Sequence, residues 1–266
     1  MGLSGEQHSW SHWPCTPGFG ADALLRDSFD ILRRKWSEVP CGQERISSED
    51  LLGLPDGQLL ERWSASYREA SAGEAFSIRG WYQVLYRDVF RGKKILDFGC
   101  GLGIDTIFYA EHDARVTFVD LVESNTEVVR RVCQLKGLSQ VDFCHLEDLS
   151  SLRGLPTDYD VIYCVGSLIH APLEVVRLEA QELLKHLPVG GRWIELGYPR
   201  GRWEREGRMP FTLWGEKTDG GAPWVEWHDL EKVRAYLAPA VFEVVFQVEF
   251  HNGDFNWFDL IRRPDG

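Results

Sequence analysis

A glycine-rich turn is the part of this sequence best suited to chemistry. It reads Asp97-Phe98-Gly99-Cys100-Gly101-Leu102-Gly103 and lies between a short apolar run and a helical pattern that begins at position 104. Glycines have no Cβ, so the backbone can turn sharply there and approach a ligand closely. The unpaired N–H groups at the start of the following helix point towards the turn and favour a polar or anionic ligand group.

Carboxylates lie at or just after the ends of the next two strand-like runs. Asp120 ends the run 114–120, and Glu147 and Asp148 follow the run 141–146. Asp120 is placed to accept hydrogen bonds from the two ribose hydroxyls of an adenosine, and a later acid could accept from an adenine amino group. The turn alone could be a tight connection that binds nothing, but acids after both later strands favour a nucleoside site.

Two other phosphate-binding motifs fit the turn less well. A nicotinamide dinucleotide fingerprint, G-x-G-x-x-G, needs a third glycine where this chain has Ile104. A P-loop needs Gly-Lys-Ser or Gly-Lys-Thr, and neither follows the turn. A nicotinamide-dependent oxidoreductase is therefore the weaker alternative.

The elements that position these residues alternate between strand-like and helical patterns. Strand-like runs cover 94–98, 114–120, 141–146, 159–166 and 192–198, with helical patterns at 104–113, 122–137 and 172–187. This alternation predicts a doubly wound α/β sheet with helices on both faces. Two later runs, 242–250 and 255–262, flank an Asn-Gly pair and predict an antiparallel hairpin.

The chain is expected to divide near residue 90. Helical patterns at 21–37, 48–69 and 74–90 precede the first strand, and Pro40-Cys41-Gly42 is expected to end the first of them. We expect residues 1–90 to form an N-terminal arm and helical cap, and residues 91–266 to form the main domain. Residues 199–227, rich in Gly, Arg and Trp, show little periodicity and are expected to be a substrate-recognition insert.

Charge and composition restrict the partners. The formal net charge is −12, which disfavours nucleic acid and anionic membranes. There is no apolar run near the length that spans a bilayer and no signal-peptide pattern, so a cytoplasmic location is expected. The six cysteines form no CxxC pair, and His8 and His12 lack a third ligand, so no metal is expected.

Residues 93–198 resemble the S-adenosylmethionine-binding core of class I methyltransferases that act on small molecules. The motifs that carry the resemblance are LDFGCGLG, VTFVD, HLEDL, YDVIYCVGSLIH and LKHLPVGGRWIEL. The resemblance implies a Rossmann-like, seven-stranded sheet that is mostly parallel with a C-terminal antiparallel hairpin. It also implies S-adenosyl-L-methionine as methyl donor and S-adenosyl-L-homocysteine as product.

The resemblance also implies which residues contact the donor. Asp120 would bind the ribose, Leu121 would pack on the adenine, and the backbone near Val165 would face the methionine end. Arg79, just before the first strand, would meet the methionine carboxylate. The full set of donor residues is Arg79, Asp97, Gly99, Cys100, Gly101, Gly103, Asp105, Asp120, Leu121, Glu147, Asp148, Leu149 and Val165.

Methyl transfer from a sulfonium needs orientation and desolvation, and a base only where the nucleophile keeps its proton. His170 follows the fourth strand and is the candidate base, although it could instead cap the helix that starts at Pro172. Tyr198 leaves the fifth strand and could position a hydroxyl, or simply be buried with its own hydroxyl satisfied. These two are the candidate catalytic residues.

The insert suggests how an acceptor is recognised. Arginine suits carboxylates and phosphates, so a small acceptor that carries such a group is expected. Neighbouring glutamates could instead neutralise Arg205 and Arg208, and the tryptophans could wall a pocket or form a local core. The candidate substrate residues are Tyr82, Arg200, Arg202, Trp203, Trp214 and Trp227.

The sequence therefore predicts S-adenosylmethionine-dependent methyl transfer to an oxygen or nitrogen of a small molecule. Two alternatives stay open: a protein or peptide methyltransferase, and a non-catalytic S-adenosylmethionine-binding partner protein. An open acidic groove would favour the first alternative, and donor binding without turnover would favour the second.

Overall fold

The computed structural model describes residues 21–42, 44–71 and 79–264. The predicted arm at 1–20, with His8 and His12, lies outside these described residues. Within them, no helix combines the length and the apolar character needed to cross a membrane. Nor do the described His, Cys, Asp and Glu side chains form a group of three or more that could hold a metal ion.

Short helices and one small hairpin make up the N-terminal part. Its elements are α1 (Ala21–Trp36), β1 (Glu38–Cys41), β2 (Glu44–Ser47), α2 (Ser48–Leu52), α3 (Asp56–Ser71) and α4 (Gly80–Tyr86). The helices overlap the predicted patches, although α3 continues to Ser71, and the antiparallel β1–β2 pair replaces the predicted helix end at Pro40-Cys41-Gly42. Strands of four residues are too short for their alternation to stand out in a sequence.

The main domain follows the predicted alternation. Its elements are β3 (Lys94–Phe98), α5 (Ile104–Glu111), β4 (Arg115–Asp120), α6 (Glu123–Lys136), β5 (Val141–His145), β6 (Val161–Val165), α7 (Leu173–Leu183), β7 (Arg192–Gly197), α8 (Arg200–Arg205), α9 (Phe211–Thr218), α10 (Leu230–Leu237), β8 (Val241–Phe250) and β9 (Phe255–Arg263). The strands form one seven-stranded sheet in the order β5-β4-β3-β6-β7-β9-β8. The first five are parallel, and β9 pairs antiparallel with both β7 and β8. The predicted Rossmann-like fold is confirmed.

Both faces of the sheet are buried because the central strands are apolar on both sides. Ile95 and Leu96 are neighbours on β3, both fully buried, and belong to two different core clusters. The cluster around Ile95 contains residues of α5 and α6, and the cluster around Leu96 contains residues of α7 and α10. This is the pattern of a parallel sheet that is covered on both faces.

The N-terminal part shares the core of the domain. The indole Nε1 of Trp63, on α3, donates to the carbonyl oxygen of Leu102 in the glycine turn at 2.8 Å. The side-chain amide of Asn125, on α6, donates to the Trp36 carbonyl at 3.1 Å. The first contact places α3 next to the glycine turn, and the second joins α1 to α6.

The insert at 199–227 contains helices that its sequence does not predict. Helices α8 and α9 have only six and eight residues, too few to show a clear apolar period. Ion pairs at i,i+4 spacing join Arg200 to Glu204 and Arg202 to Glu206. The basic residue comes first in both pairs, which is the less favourable order along a helix, so these helices depend on tertiary contacts.

Candidate active site

A cavity of about 670 Å³ lies beyond the C-terminal ends of the parallel strands. Its wall includes residues that directly follow β3, β4, β6 and β7, the edge at which open α/β sheets bind ligands. Residues of α1, the β1–β2 hairpin and α3 also line it. The predicted site residues in this wall are Arg79, Gly99, Cys100, Gly101, Asp120, Leu121, Val165, His170, Tyr198 and Arg202.

The three glycines of the turn have different roles. Gly99, Gly101 and Gly103 all have positive φ angles, 73°, 55° and 63°. A Cβ on Gly99 would lie 2.4 Å from the Cβ of Ser167, and one on Gly103 would lie 2.7 Å from a methyl group of Val129. A Cβ on Gly101 would meet no atom within 4 Å. Gly99 and Gly103 therefore allow close packing, whereas Gly101 leaves space open at the cavity wall.

Asp120 ends β4 beside this open space. One of its oxygens accepts hydrogen bonds from the Val122 N–H at 2.9 Å and the Asn125 amide at 3.2 Å, and the other accepts from the Gly101 N–H at 2.8 Å. Burial raises the pKa of Asp120 to about 6, and these hydrogen bonds oppose the rise. At neutral pH it is therefore mainly a carboxylate with lone pairs left to accept from hydroxyl groups.

Asp97 lies behind the turn and is not part of the cavity wall. Only 4% of it is exposed, and the hydroxyl of Thr106 on α5 donates to its carboxylate. Burial raises the pKa of Asp97 to about 7, and the Thr106 hydrogen bond opposes this. Asp97 thus ties α5 to β3 from behind the cavity wall.

Arg79 lines the cavity, but the side chains that contact it do not. It forms an ion pair with Asp105, which also accepts from the Gln83 amide at 2.6 Å and the Tyr82 hydroxyl at 3.3 Å. The Tyr82 ring stacks on Trp257 with centroids 4.4 Å apart. Asp105 and Tyr82, both predicted ligand contacts, therefore lie behind the wall because they complete a buried polar cluster.

The three residues after β5 that are predicted to contact the adenine do not line the cavity. Leu121 and Leu146 line the cavity, whereas Glu147, Asp148 and Leu149 do not. The Asp148 carboxylate instead caps the short 3-10 helix Leu149–Gly154, accepting from a backbone N–H of its first turn. Because this carboxylate pairs with backbone N–H groups at the start of the 3-10 helix, it is turned away from the cavity.

An arginine of the N-terminal cap joins the two loops on this side of the cavity. The guanidinium of Arg33, on α1, donates to the carbonyl oxygens of Leu121 at 3.0 Å and Glu147 at 2.8 Å. These loops follow β4 and β5. The sequence gives no signal for this contact, because the partners are 88 and 114 residues away along the chain.

His170, Tyr198 and Asp219 form a polar group on another part of the wall. The Tyr198 hydroxyl donates to Oδ1 of Asp219 at 2.7 Å, and Oδ2 of Asp219 lies 4.0 Å from Nδ1 of His170. Burial lowers the pKa of His170, although the Asp219 charge opposes this, so the ring is neutral at pH 7. Asp219 is not predicted from the sequence; its only local signal is the Gly220-Gly221 pair that follows it.

Of the four arginines at the start of the insert, only Arg202 lines the cavity. Its guanidinium pairs with Glu206 and lies 4.2 Å from the centre of the Tyr198 ring. Arg200 and Arg208 both pair with Glu204, whereas Arg205 pairs with Asp254. The prediction that Arg200 faces the acceptor therefore does not match its position, because it lies on the exposed side of α8 and outside the cavity wall.

The insert tryptophans pack among themselves and their neighbours. Trp214 is fully buried and donates to Glu206, and Trp203 donates to the Met209 carbonyl at 2.8 Å. The rings of Trp203 and Trp227 are 6.3 Å apart. None of these three lines the cavity. They build a local core that supports Tyr198 and Arg202, which is the second of the two interpretations of this cluster.

Glu179 is a buried acid in the cavity wall that the sequence does not mark. It lies on α7, only 4% exposed, next to apolar residues of the second core cluster. Burial raises its pKa to about 8. A carboxyl group in such surroundings is largely protonated at neutral pH.

The Glu179→Gln variant should change how stability depends on pH. A folded-state pKa above the unfolded value contributes stability that is present at low pH and is lost as the pH rises through 8. Glutamine does not titrate and has no such loss. Between pH 6 and pH 9, the free energy of unfolding of the variant should therefore rise by roughly 1–3 kcal/mol relative to that of the wild type. Urea unfolding at both pH values measures the difference. Glu174→Gln, at an exposed position of α7, is the control. The same change in unfolding free energy from pH 6 to pH 9 in Glu179→Gln and in wild type would contradict the assignment.

Comparison with known proteins agrees with this geometry. Residues 95–191 match the family model described as "Methyltransferase domain". This segment holds the glycine turn, Asp120 and His170. A ubiquinone biosynthesis O-methyltransferase of Idiomarina loihiensis is 37% identical over 89 residues, 33% of this chain and 35% of the relative. One from Bordetella parapertussis is 35% identical over 122 residues, 43% of this chain and 46% of the relative. The chain thus spans about a third to a half of these curated relatives.

Solved structures show the same fold over more of the chain. The magnesium protoporphyrin IX methyltransferase of Synechocystis PCC 6803 with bound S-adenosylhomocysteine covers 91% of this chain and 100% of its own, at 17% identity and a TM-score of 0.54. An N-methyltransferase of Bradyrhizobium japonicum in complex with the same molecule covers 79% of this chain and 98% of its own, at 20% identity and a TM-score of 0.53. The likeness therefore includes regions outside the matched family segment.

Proposed function

Because the chain contains a class I, Rossmann-like methyltransferase domain, we propose that it transfers a methyl group from S-adenosylmethionine to an oxygen of a small molecule. The sulfonium supplies an electrophilic methyl group, which the acceptor attacks in line. The protein's part is then to bind and orient both molecules and to exclude water.

The open space at Gly101 beside the Asp120 carboxylate carries this proposal. A nucleoside needs close backbone approach and an acceptor for its two ribose hydroxyls, and this pair supplies both. Leu121 and Leu146 provide apolar contacts in the same wall for the adenine. Arg79, Gly99, Cys100 and Val165 line it as well and are proposed donor contacts.

The cavity favours a small acceptor over a protein or peptide. Residues of the N-terminal cap line the cavity together with the ends of the sheet strands, so both parts of the chain form the site. Aromatic rings in the wall, Trp36 and Phe255 among them, suit a flat molecule. The names of the curated relatives support oxygen over nitrogen as the methylated atom.

We also propose that Arg202 binds an acidic group of the acceptor. Its side chain is 14% exposed and lines the cavity near Tyr198 and Asp219. Its Nε donates to Glu206 and its Nη1 to the Asp254 carbonyl at 3.4 Å, and the remaining N–H groups of the guanidinium are donors for a carboxylate or phosphate. We therefore propose Arg202, and not Arg200, as the contact for an acidic group.

Removing Arg202 should discriminate between acceptors. With 3,4-dihydroxybenzoate the Arg202→Ala variant should raise the acceptor KM by about tenfold, because a charge-assisted hydrogen bond is lost. With catechol, which has no carboxylate, the KM should change little. Arg200→Ala, on the same helix but outside the wall, is the matched control. An equal rise for both variants, or for both acceptors, would contradict the assignment.

The proposed activity is tested by release of S-adenosylhomocysteine. Purified protein is incubated with S-adenosylmethionine and catechols, simple phenols or primary amines, and each product is identified by mass. Methylated catechol or phenol is the expected result. Donor binding without any methylated product would favour a non-catalytic binding protein, and methylated amines alone would move the acceptor atom to nitrogen.

A further inference from the structure

Asp219 has an oxygen for which the described residues supply no hydrogen-bond donor. Its Oδ2 is buried and unpaired, while its Oδ1 accepts from Tyr198. Leaving a buried carboxylate oxygen unpaired is costly, so such an atom calls for a functional explanation. Asp219 also lines the cavity.

The surroundings hold this carboxylate in place. The Tyr198 hydroxyl fixes one oxygen at 2.7 Å. The ammonium group of the buried Lys35, on α1, donates to the backbone carbonyl of Gly220, the next residue. The other oxygen is thereby directed to the side of His170, whose Nδ1 is 4.0 Å away.

A neutral His170 can carry its proton on either ring nitrogen, and the charge of Asp219 favours one of the two. A neutral imidazole has one N–H and one accepting nitrogen. The backbone carbonyls of Trp224 and Gly166 also lie near the ring, the first at 3.4 Å from Nδ1. The Trp224 carbonyl can accept a hydrogen bond from Nδ1, and the negative charge of Asp219 lies 4.0 Å from the same nitrogen, so both favour the proton on Nδ1. Nε2 then keeps a lone pair.

We propose that His170 and Asp219 act as a dyad in which His170 is the general base and Asp219 is its positioning residue, held in turn by Tyr198. The inference rests on the proposed methyl transfer. The acceptor oxygen forms its bond to the methyl carbon while the carbon–sulfur bond breaks and its electron pair stays on sulfur. The acceptor proton moves to Nε2, and the imidazolium that forms faces the Asp219 carboxylate.

The ionisable groups around His170 come from four segments. Asp219 follows α9, Lys35 lies on α1, Tyr198 follows β7 and Arg202 lies on α8. The Asp219 charge raises the pKa of His170, and the Lys35 charge lowers it. Of the four, only Asp219 supplies the negative charge that would stabilise an imidazolium.

A first experiment needs neither donor nor acceptor. The pKa of His170 is measured by NMR of the imidazole nitrogens, with the signal identified by its loss in His170→Asn. Asp219→Asn should lower this pKa by about half a unit or more. Glu216→Gln, an exposed acid on α9, should leave it unchanged. An unchanged pKa in Asp219→Asn would overturn the dyad.

A second experiment tests the base itself, with S-adenosylmethionine and two acceptors at pH 8. Catechol keeps its proton there, and kcat should fall by about 100-fold in His170→Asn and by about tenfold in Asp219→Asn. In 4-nitrocatechol the hydroxyl para to the nitro group is already ionised at this pH and needs no base. Both variants should therefore keep kcat for methylation of this hydroxyl within about threefold of wild type. Equal losses for the two acceptors would overturn the base assignment.

Calorimetry with S-adenosylhomocysteine separates this inference from the proposed function. Both variants should bind it as wild type does, because neither residue is a proposed donor contact. Wild-type protein that binds no donor would remove the proposed function. Protein that binds donor and methylates both acceptors, but whose variants lose equal activity with both, would remove only the dyad.

Discussion

Asp120→Ala is expected to weaken the binding of S-adenosylhomocysteine by about 5- to 150-fold, or roughly 1–3 kcal/mol. The carboxylate is buried at the cavity wall and is held by three hydrogen bonds, so its position is fixed before a ligand arrives. Two ribose hydroxyls that donate to a charged acceptor lose both bonds in the alanine variant. Isothermal titration calorimetry at pH 7.5 measures the change directly.

The same carboxylate predicts a pH dependence. Because burial raises the pKa of Asp120 to about 6, the wild-type affinity should be level above neutral pH and should fall as the pH drops below 6. Asp120→Asn should lose this dependence. Asp142→Asn, at an exposed position of the adjacent strand β5, is the matched control and should behave as wild type. Wild-type affinity in Asp120→Ala would show that the ribose lies elsewhere.

Gly101→Ala is expected to weaken donor binding at least tenfold while the protein stays folded. The new methyl group would enter the open space at the cavity wall, where the donor is proposed to contact the backbone of the glycine turn. A non-glycine residue at this positive φ should lower the free energy of unfolding by about 1–2 kcal/mol. Calorimetry and urea unfolding measure the two effects separately.

Gly92→Ala is the matched control for that substitution. Gly92 also has a positive φ, 71°, and a Cβ there would also meet no atom within 4 Å, but it lies outside the cavity wall. The two variants should lose similar stability, and only Gly101→Ala should lose affinity. If both bind donor equally well, the space above Gly101 is not the donor site.

The strands and helices of the sheet domain could be predicted because local patterns determine them. Each parallel strand is a short apolar run, and the motif acids and glycines mark where strands end. Asp120 and Gly101 are close along the chain, separated by one helix, so their meeting follows from the βαβ unit itself. The glycine turn and Asp120, the two features on which the proposed donor site rests, are therefore marked in the sequence.

The acceptor half depends on contacts between distant segments. His170 and Tyr198 could be placed at strand ends, but Asp219 directly follows a short helix that the sequence does not predict. Glu179 lies on a helix whose buried face is otherwise apolar, and only the packing of α7 shows that it borders a cavity. Burial of a single polar residue is a tertiary property that periodicity does not encode.

Several predicted contacts have structural partners instead. Asp97 bonds to Thr106, Asp105 to Arg79, and Asp148 caps a 3-10 helix. A motif gives the residue type at a position, whereas its neighbours decide whether a charge faces the ligand or supports the loop. The acids that support the loop would still affect donor binding, through the shape of the turn.

The most direct test of the account is calorimetric titration of the wild-type protein with S-adenosylmethionine and S-adenosylhomocysteine, together with thermal unfolding. The account predicts saturable binding of a single equivalent of each molecule and a higher Tm in their presence. No heat from either molecule, with an unchanged Tm, would contradict it.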